Sequence, residues 1–238
     1  QFVSDLYAFT VQGDTISGTR VSPRSDGTGV ASVKVTGKRI PPLPPAPDLS
    51  RLKFGDPLTL FNGKNLDGWK PLGLGKNGWR AENGVLVNDA RQEDGKPKVH
   101  YANLRTEAEF EDFNLTLEVS VPKDGNSGIY LRGVYEVQVL DSYGKPLDTH
   151  NMGGIYSRVA PASAAEKPAG EWQTMDITLA DRHVTVILNG VKILDNIPLA
   201  GCTGGALWAD EFRPGPLYLQ GDHTAVQYRN LILRPVIK

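Results

Sequence analysis

The sequence has little cysteine, no long apolar run and no excess of charge of either sign. Cys202 is its one cysteine, so no internal disulfide can form, and the surrounding "LAGCTGGAL" offers no base to activate a thiol. The net charge is −1, which gives no reason to expect binding to nucleic acid or to an anionic membrane. No apolar run approaches the ~20 residues that span a bilayer. The chain begins at Gln1 without a signal peptide, and we expect its natural N-terminus to lie upstream.

Helical periodicity is also missing. No long stretch repeats apolar residues at the i, i+3, i+4, i+7 spacing of an amphipathic helix. Instead, 26 glycines and 17 prolines are spread along the whole chain and separate short apolar runs. This pattern predicts an all-β protein built as an antiparallel two-sheet sandwich.

Individual strands can be read from alternating apolar and polar residues. Residues 113–121, "FNLTLEVSV", and residues 174–180, "TMDITLA", each place apolar side chains on one face. Residues 183–194 predict a hairpin with Asn189-Gly190 as a type I′ turn. "GPLYLQG" and "VQYRNLILRPV" predict the last two strands.

The N-terminal part differs from the rest of the chain. Residues 1–40 contain apolar runs that look like the closing strands of an upstream or accessory β unit, because we expect forty residues to be too few to close a sheet alone. Residues 41–53 begin with "PPLPPAPDLS" and predict a stiff, extended linker. Residues 54–238 then form the main domain.

One predicted strand region carries more polar groups than a buried sheet usually does. In "GNSGIYLRGVYEVQVLD", residues 125–141, alternation places Glu136 and Gln138 on one face and Val137 on the other. Tyr130 and Arg132 are expected to point together as well. The polar face is either a solvated outer surface or the lining of a binding site.

The motifs of the chain favour the binding site. Six motifs follow one another in this order: "LFNGKNLDGW", "NSGIYLR", "YEVQVLD", "GEWQTMDI", "LNG" and "GPLYLQGDH…VQYRNLILRP". In these the chain resembles the 3-keto-disaccharide hydrolase domain family over residues 56–238. The resemblance implies a concanavalin-like jelly roll of the laminarinase kind with a carbohydrate cleft on one curved sheet. It also implies a periplasmic or extracellular location.

The resemblance further implies substrates that are glycosides already oxidised to a ketone at C3. A base would remove the acidic C2 proton, the enolate would expel the group at C1, and water would add back. Glu136 is the first candidate for the base, with His223 and Asp141 as competitors. Five further side chains are candidates for holding the sugar: Arg132, Gln138, Tyr156, Trp172 and Gln220.

The sequence leaves open whether the protein binds a divalent metal, structural or catalytic. Its ligands could come from Asp141, Asp148, His150, Asp222 and His223, but their spacing matches no standard zinc or EF-hand site. Ordinary two-carboxylate glycoside hydrolysis is disfavoured, because Gln138 stands where related folds carry the second acid.

The alternatives to an enzyme are a non-catalytic carbohydrate-binding module of a larger secreted protein and a structural or adhesion sandwich. An enzyme needs a base and an acid that face one pocket, whereas a binding module needs aromatic residues and few ionisable groups. The sequence contains both kinds of residue, and its ionisable groups favour an enzyme with a carbohydrate substrate. The oligomeric state is not indicated by the sequence.

Overall fold

Strands make up nearly all the regular structure of this protein, which a computed structural model describes for residues 5–92 and 95–237. The chain divides into two compact units, residues 1–43 and residues 44–238. Seventeen strands are present in the described residues: β1 (Leu6–Gln12), β2 (Thr15–Pro23), β3 (Val30–Lys38), β4 (Lys53–Phe54), β5 (Leu58–Thr59), β6 (Trp69–Leu72), β7 (Trp79–Glu82), β8 (Val85–Asn88), β9 (Asn103–Thr106), β10 (Phe113–Ser120), β11 (Asn126–Leu131), β12 (Tyr135–Leu140), β13 (Gln173–Ala180), β14 (His183–Leu188), β15 (Val191–Pro198), β16 (Tyr218–Leu219) and β17 (Val226–Ile237). No helix in these residues is long and apolar enough to cross a bilayer.

The N-terminal unit is a three-stranded antiparallel sheet in the order β1-β2-β3. Its register pairs Phe9 with Gly18 and Gly18 with Val35, so one face carries Tyr7, Phe9, Val11, Ile16, Val33 and Val35 together with Arg20. The opposite face carries threonine, serine and lysine together with Leu6, Ala8 and Val21. Residues 41–48, inside the predicted linker, form neither helix nor strand, and Leu49–Arg51 form a 3₁₀ turn capped by the Asp48 side chain.

The larger unit consists of two antiparallel sheets, which confirms the predicted all-β sandwich. One sheet has nine strands, in the order β15-β14-β13-β10-β17-β8-β7, with β4 and β5 also paired to β17. The other has five strands, in the order β12-β11-β16-β9-β6. Each sheet also pairs strands that are distant in sequence, for example β17 beside both β8 and β10 and β16 beside both β9 and β11.

The core lies between the two sheets and follows the predicted alternation. In β10, Leu115, Leu117 and Val119 are buried, and the intervening Asn114 and Thr116 are half-buried on the opposite face. The predicted hairpin is confirmed: Leu188 pairs with Val191 across a turn in which Asn189 and Gly190 both have positive φ (50° and 82°).

Candidate active site

The polar residues of β11 and β12 lie on the face of the five-stranded sheet that points away from the core. Ile129 and Val137 belong to the core cluster, so alternation turns Tyr130 and Glu136 to the other side. The register pairs Tyr130 with Glu136 on one side and with Tyr218 on the other, which places the three side chains in a row. This face is not a solvated surface, because Glu136 is only 2% exposed.

Above this row lies a cavity of about 350 Å³, a size within the range of small-molecule sites. Strands β9, β11, β12 and β16 form its floor, and loops around residues 156, 204 and 222 form its walls. It is lined by Asn103, Asn126, Tyr130, Glu136, Tyr156, Gly204, Gly205, Tyr218, Gln220, Asp222 and His223.

The Glu136 carboxyl group is held out of water, over the backbone of the neighbouring strand. A Cβ atom at Gly128 would lie 2.3 Å from Glu136 Oε1, so only glycine leaves room for this placement. Burial raises the pKa of Glu136 to about 7, against smaller opposing effects of the Tyr130 hydrogen bond and of His223, while Asp222 adds to the increase. Glu136 therefore exchanges its proton near neutral pH.

Tyr130 connects Glu136 to the cavity wall. Its ring stacks on Tyr218, with centroids 4.1 Å apart and planes 8° from parallel. Its hydroxyl lies 2.7 Å from Glu136 Oε2 and also contacts the carbonyl oxygen of Gly204. A hydroxyl has one proton, so both contacts are hydrogen bonds at once only when Glu136 is protonated and donates to Tyr130. Burial is the largest cause of a raised pKa for Tyr130 itself, which keeps the phenol neutral.

The loop over Tyr130 is fixed to the same strands. Thr203 Oγ1 donates to the carbonyl oxygen of Val134 and accepts a 3.0 Å hydrogen bond from the backbone N–H of Glu136. Gly205 has φ 79°, and a Cβ atom there would lie 2.5 Å from the Tyr130 hydroxyl. Glycine at this position lets the loop close over the cavity.

Asp222 and His223 form a hydrogen-bonded pair on the opposite wall. Asp222 Oδ1 lies 2.7 Å from His223 Nδ1, which leaves Nε2 as the ring nitrogen that can exchange a proton with a bound molecule. The hydrogen bond with Asp222 is the largest cause of a raised pKa for His223, and the same bond lowers the pKa of Asp222. His223 therefore holds its proton more firmly than a free histidine.

Side chains of neighbouring strands position the loop that carries Asp222 and His223. Asn103 Oδ1 accepts from the backbone N–H of Gly221 at 2.7 Å, and Asn88 Nδ2 donates to the Gly221 carbonyl oxygen at 2.9 Å. Thr224 Oγ1 accepts from the N–H of Asn126 and donates to its carbonyl oxygen. The loop that follows β16 is thus tied to β8, β9 and β11, and the Asp222–His223 pair has a fixed position.

Four of the eight predicted site residues line the cavity together: Glu136, His223, Tyr156 and Gln220. Gln138 lies on the same face of β12 but behind Asn126, to which its Nε2 donates at 3.3 Å. Its Oε1 has no hydrogen-bond partner among the described residues, and the side chain is 1% exposed. Gln138 therefore supports the cavity lining from behind.

The other three predicted residues lie elsewhere, which corrects the expectation that Arg132 would join the site. Arg132 occupies the β11–β12 turn with φ 56°, so strand alternation does not apply to it, and its guanidinium donates to the backbone carbonyl oxygen of Glu211. Asp141 follows β12 and accepts from the N–H of Asp124. The Trp172 ring lies 4.0 Å from the Arg229 guanidinium, which packs against it as a cation–π partner.

Several lining residues were missed in the sequence. Tyr218 and Asn103 come from strands that only the tertiary register brings to the same sheet as β12, whereas Asn126 lies on the neighbouring strand β11, on the same face as Tyr130. Tyr130 could have been found, because it is two positions from Gly128 on the face that alternation assigns to the site. Outside the cavity lining, no pattern in the sequence around Arg182 or Glu211 indicated the buried ion pair between them, which is 3.1 Å long.

The possible metal ligands do not form one group. Among residues 5–92 and 95–237, no three His, Cys, Asp or Glu side chains are close enough together to hold a metal ion. Asp148 and His150 lie in a loop in which Asp148 Oδ1 accepts from the His150 backbone N–H at 2.6 Å. The residues named as candidate ligands therefore do not fit a metal site of three protein side chains.

Comparison with known proteins gives one family and a set of related structures. The family model described as "3-keto-alpha-glucoside-1,2-lyase-like domain" matches residues 56–234. A curated protein of Bacteroides thetaiotaomicron, named 3-keto-disaccharide hydrolase, is 26% identical over 172 residues, which are 58% of this chain and 57% of that protein. The chain thus matches somewhat more than half the length of this relative.

Two crystal structures from Parabacteroides distasonis, both provisionally described as glycosyl hydrolases, share the fold. One is 28% identical with a TM-score of 0.61, over 83% of this chain and 94% of the other. The second is 22% identical with a TM-score of 0.58, over 76% and 94% of the two chains.

Proposed function

This chain belongs to the 3-keto-alpha-glucoside-1,2-lyase-like domain family, and from that premise we propose that it cleaves glycosides that carry a ketone at C3 of the sugar. The observation that carries the proposal is the placement of a buried carboxyl group with a pKa of about 7 in the same cavity as a histidine oriented by an aspartate. The name of the Bacteroides relative, 3-keto-disaccharide hydrolase, supports this substrate class.

The ketone supplies the chemical logic of the reaction. It makes the C2–H bond acidic, so a base removes the C2 proton and the electron pair forms an enolate with the C3 oxygen. The enolate then re-forms the C3 carbonyl group and expels the C1 substituent, whose oxygen takes a proton, which leaves a C1–C2 double bond conjugated with the ketone. Addition of water places hydroxide on C1 and a proton on C2, which restores the C1–C2 single bond and gives net hydrolysis. Without that last step the reaction is an elimination.

Glu136 is the proposed base. A base works best when its pKa lies near the operating pH, and burial brings this carboxyl group there. Gly128 leaves the space that the carboxyl group occupies, and the Tyr130 hydroxyl forms a hydrogen bond with it. Its proton can be passed on because the neutral and ionised forms are both populated near pH 7.

His223 is the proposed acid for the leaving group. The Asp222 carboxylate binds Nδ1 and favours the imidazolium form, so Nε2 carries the proton that the departing oxygen needs. Tyr156 and Gln220 are proposed to contact the sugar ring, the tyrosine through its face and the glutamine through its amide.

The direct test compares a nitrophenyl 3-keto-glucoside with its unoxidised parent and follows release of nitrophenol. We expect release from the ketone at an enzymatic rate and none above background from the parent. Comparable release from both would contradict the proposal and indicate oxocarbenium chemistry. Binding of both sugars without release from either would instead identify a carbohydrate-binding module.

A further inference from the structure

A second cavity, of about 330 Å³, adjoins the first. The two cavities share Asn126, Asp222 and His223, and the second is completed by Lys98, His100 and Thr224. His223 therefore stands at the border between them. Each cavity is at the lower end of the ~300–1,000 Å³ typical of ligand sites, so one sugar unit suits each of them.

The wall that Lys98 contributes is held in place. The side-chain amide of Gln92 binds both the N–H and the carbonyl oxygen of Val99, each at 2.9 Å. The Tyr101 hydroxyl donates to the carbonyl oxygen of Arg91 at 2.8 Å. These bonds hold Val99 and Tyr101, the residues on either side of His100, and Val99 directly follows Lys98, so this wall of the second cavity is tied to residues 91 and 92.

We propose that the second cavity binds the leaving group, a second hydroxylated sugar unit, and that the bond to be cleaved lies beside His223. This inference rests on the proposed function and adds to it the position of the leaving group. The oxidised ring then occupies the first cavity, with C2 towards Glu136. The oxygen that leaves C1 lies at the border, where His223 Nε2 can protonate it.

The chemistry of the second cavity suits such a unit. The Lys98 ammonium group and the His100 imidazole supply hydrogen-bond donors for sugar oxygens, and Thr224 and Asn126 add neutral polar groups. The cavity offers no tryptophan or tyrosine among its described lining residues, so recognition relies on hydrogen bonds. A compact leaving group such as methoxide would leave Lys98 without a contact.

The test uses this difference between leaving groups. Lys98→Met removes the charge and keeps much of the side-chain volume. We expect kcat/KM for a 3-keto disaccharide to fall by about tenfold or more, which is the effect of losing a hydrogen bond from a charged donor. The kcat/KM for methyl 3-keto-glucoside should stay unchanged when each enzyme is assayed at its own pH optimum. Lys192→Met, on β15 of the other sheet, is the matched control and should alter neither substrate.

Two results would overturn the proposal: an equal loss with both substrates, which would mean that Lys98 acts through His223, or no loss with either. Turnover of methyl 3-keto-glucoside by the unaltered protein separates this proposal from the proposed function. If the unaltered protein does not turn over methyl 3-keto-glucoside, the proposed function fails, and the second cavity is tested by binding instead. The dissociation constants of an unoxidised disaccharide and of glucose are then measured for the unaltered protein and for Lys98→Met. Lys98→Met should then weaken binding of the disaccharide alone, and equal effects on both ligands would contradict the second site.

Discussion

A carboxyl group acquires a pKa of about 7 in this protein because its neighbours exclude water, and none of the described residues places a cation in direct contact with it. In the part of the chain that the structure describes, the Glu136 carboxyl group has one hydrogen-bond donor, the neutral Tyr130 hydroxyl, and the imidazole of His223 is already bound to Asp222. An exposed glutamate on the same strand would be fully ionised at neutral pH and a weaker base. The reactivity proposed here thus originates in burial.

Tyr130→Phe tests the hydrogen bond to the proposed base. The hydroxyl stabilises the ionised carboxylate, so its removal should raise the pKa of Glu136 further. The ascending limb of the kcat/KM profile should therefore move to higher pH. Tyr218→Phe is the control, because the Tyr218 hydroxyl accepts from Asn103 and is not bonded to Glu136 among the contacts of the described residues. A limb that stays in place in Tyr130→Phe would show that the limb does not report Glu136.

Glu136→Gln should stabilise the protein at the pH where it abolishes catalysis. The folded-state pKa of about 7 lies above the ordinary 4.5, so the folded protein binds more protons than the unfolded chain between these values. The stability associated with Glu136 is thus complete below about pH 4.5 and is lost as the pH rises through 7. The glutamine variant avoids this loss.

The free energy of unfolding, measured by denaturant titration at several pH values, checks this expectation. The difference in favour of Glu136→Gln should be small at pH 5 and reach roughly 2–3 kcal/mol at pH 8. A difference that does not change with pH would contradict a raised pKa for Glu136 in the folded protein.

At the scale of the strands, alternation decides how much of the site the sequence could predict. Glu136 follows from the period of two in "YEVQVLD", since Val137 and Val139 must face the core. The same reasoning failed for Arg132, because a turn with positive φ ends the alternation after Leu131. The prediction for Trp172 failed for another reason: its partner Arg229 is distant in sequence, and no local pattern indicates such a contact.

Gly128→Ala tests the fit between β11 and β12. The added Cβ atom would lie 2.3 Å from Glu136 Oε1, so the carboxyl group must move, whereas the strand itself can stay. We expect kcat to fall by about 10²-fold, the typical effect of misplacing a catalytic group by an ångström, with the far-ultraviolet circular dichroism unchanged. Gly55→Ala, whose Cβ atom would lie 3.3 Å from Pro235, is the control. Full activity in Gly128→Ala would argue against Glu136 as the base.

At the scale of the whole molecule, the site is assembled from segments that lie far apart in the chain. Glu136 lies on β12, its covering loop around Gly204 follows β15, and His223 precedes β17. The sequence indicated the sandwich because each strand carries its own alternation of apolar and polar residues. The resemblance of six motifs, in their order, to one family indicated the same fold. The sequence could not indicate the part of the cavity floor formed by Asn103 and Tyr218, since their proximity depends on the strand order β11-β16-β9.

The central claim is that the C2 proton is removed before the C1–O bond breaks, and hydrogen exchange at C2 measures this directly. A 3-keto-glucoside is incubated with the protein in deuterium oxide, and the product and the recovered substrate are analysed by nuclear magnetic resonance. We predict deuterium at C2 with the unaltered protein, and no exchange above the uncatalysed background with Glu136→Gln. Cleavage that leaves the original proton at C2 would contradict the account.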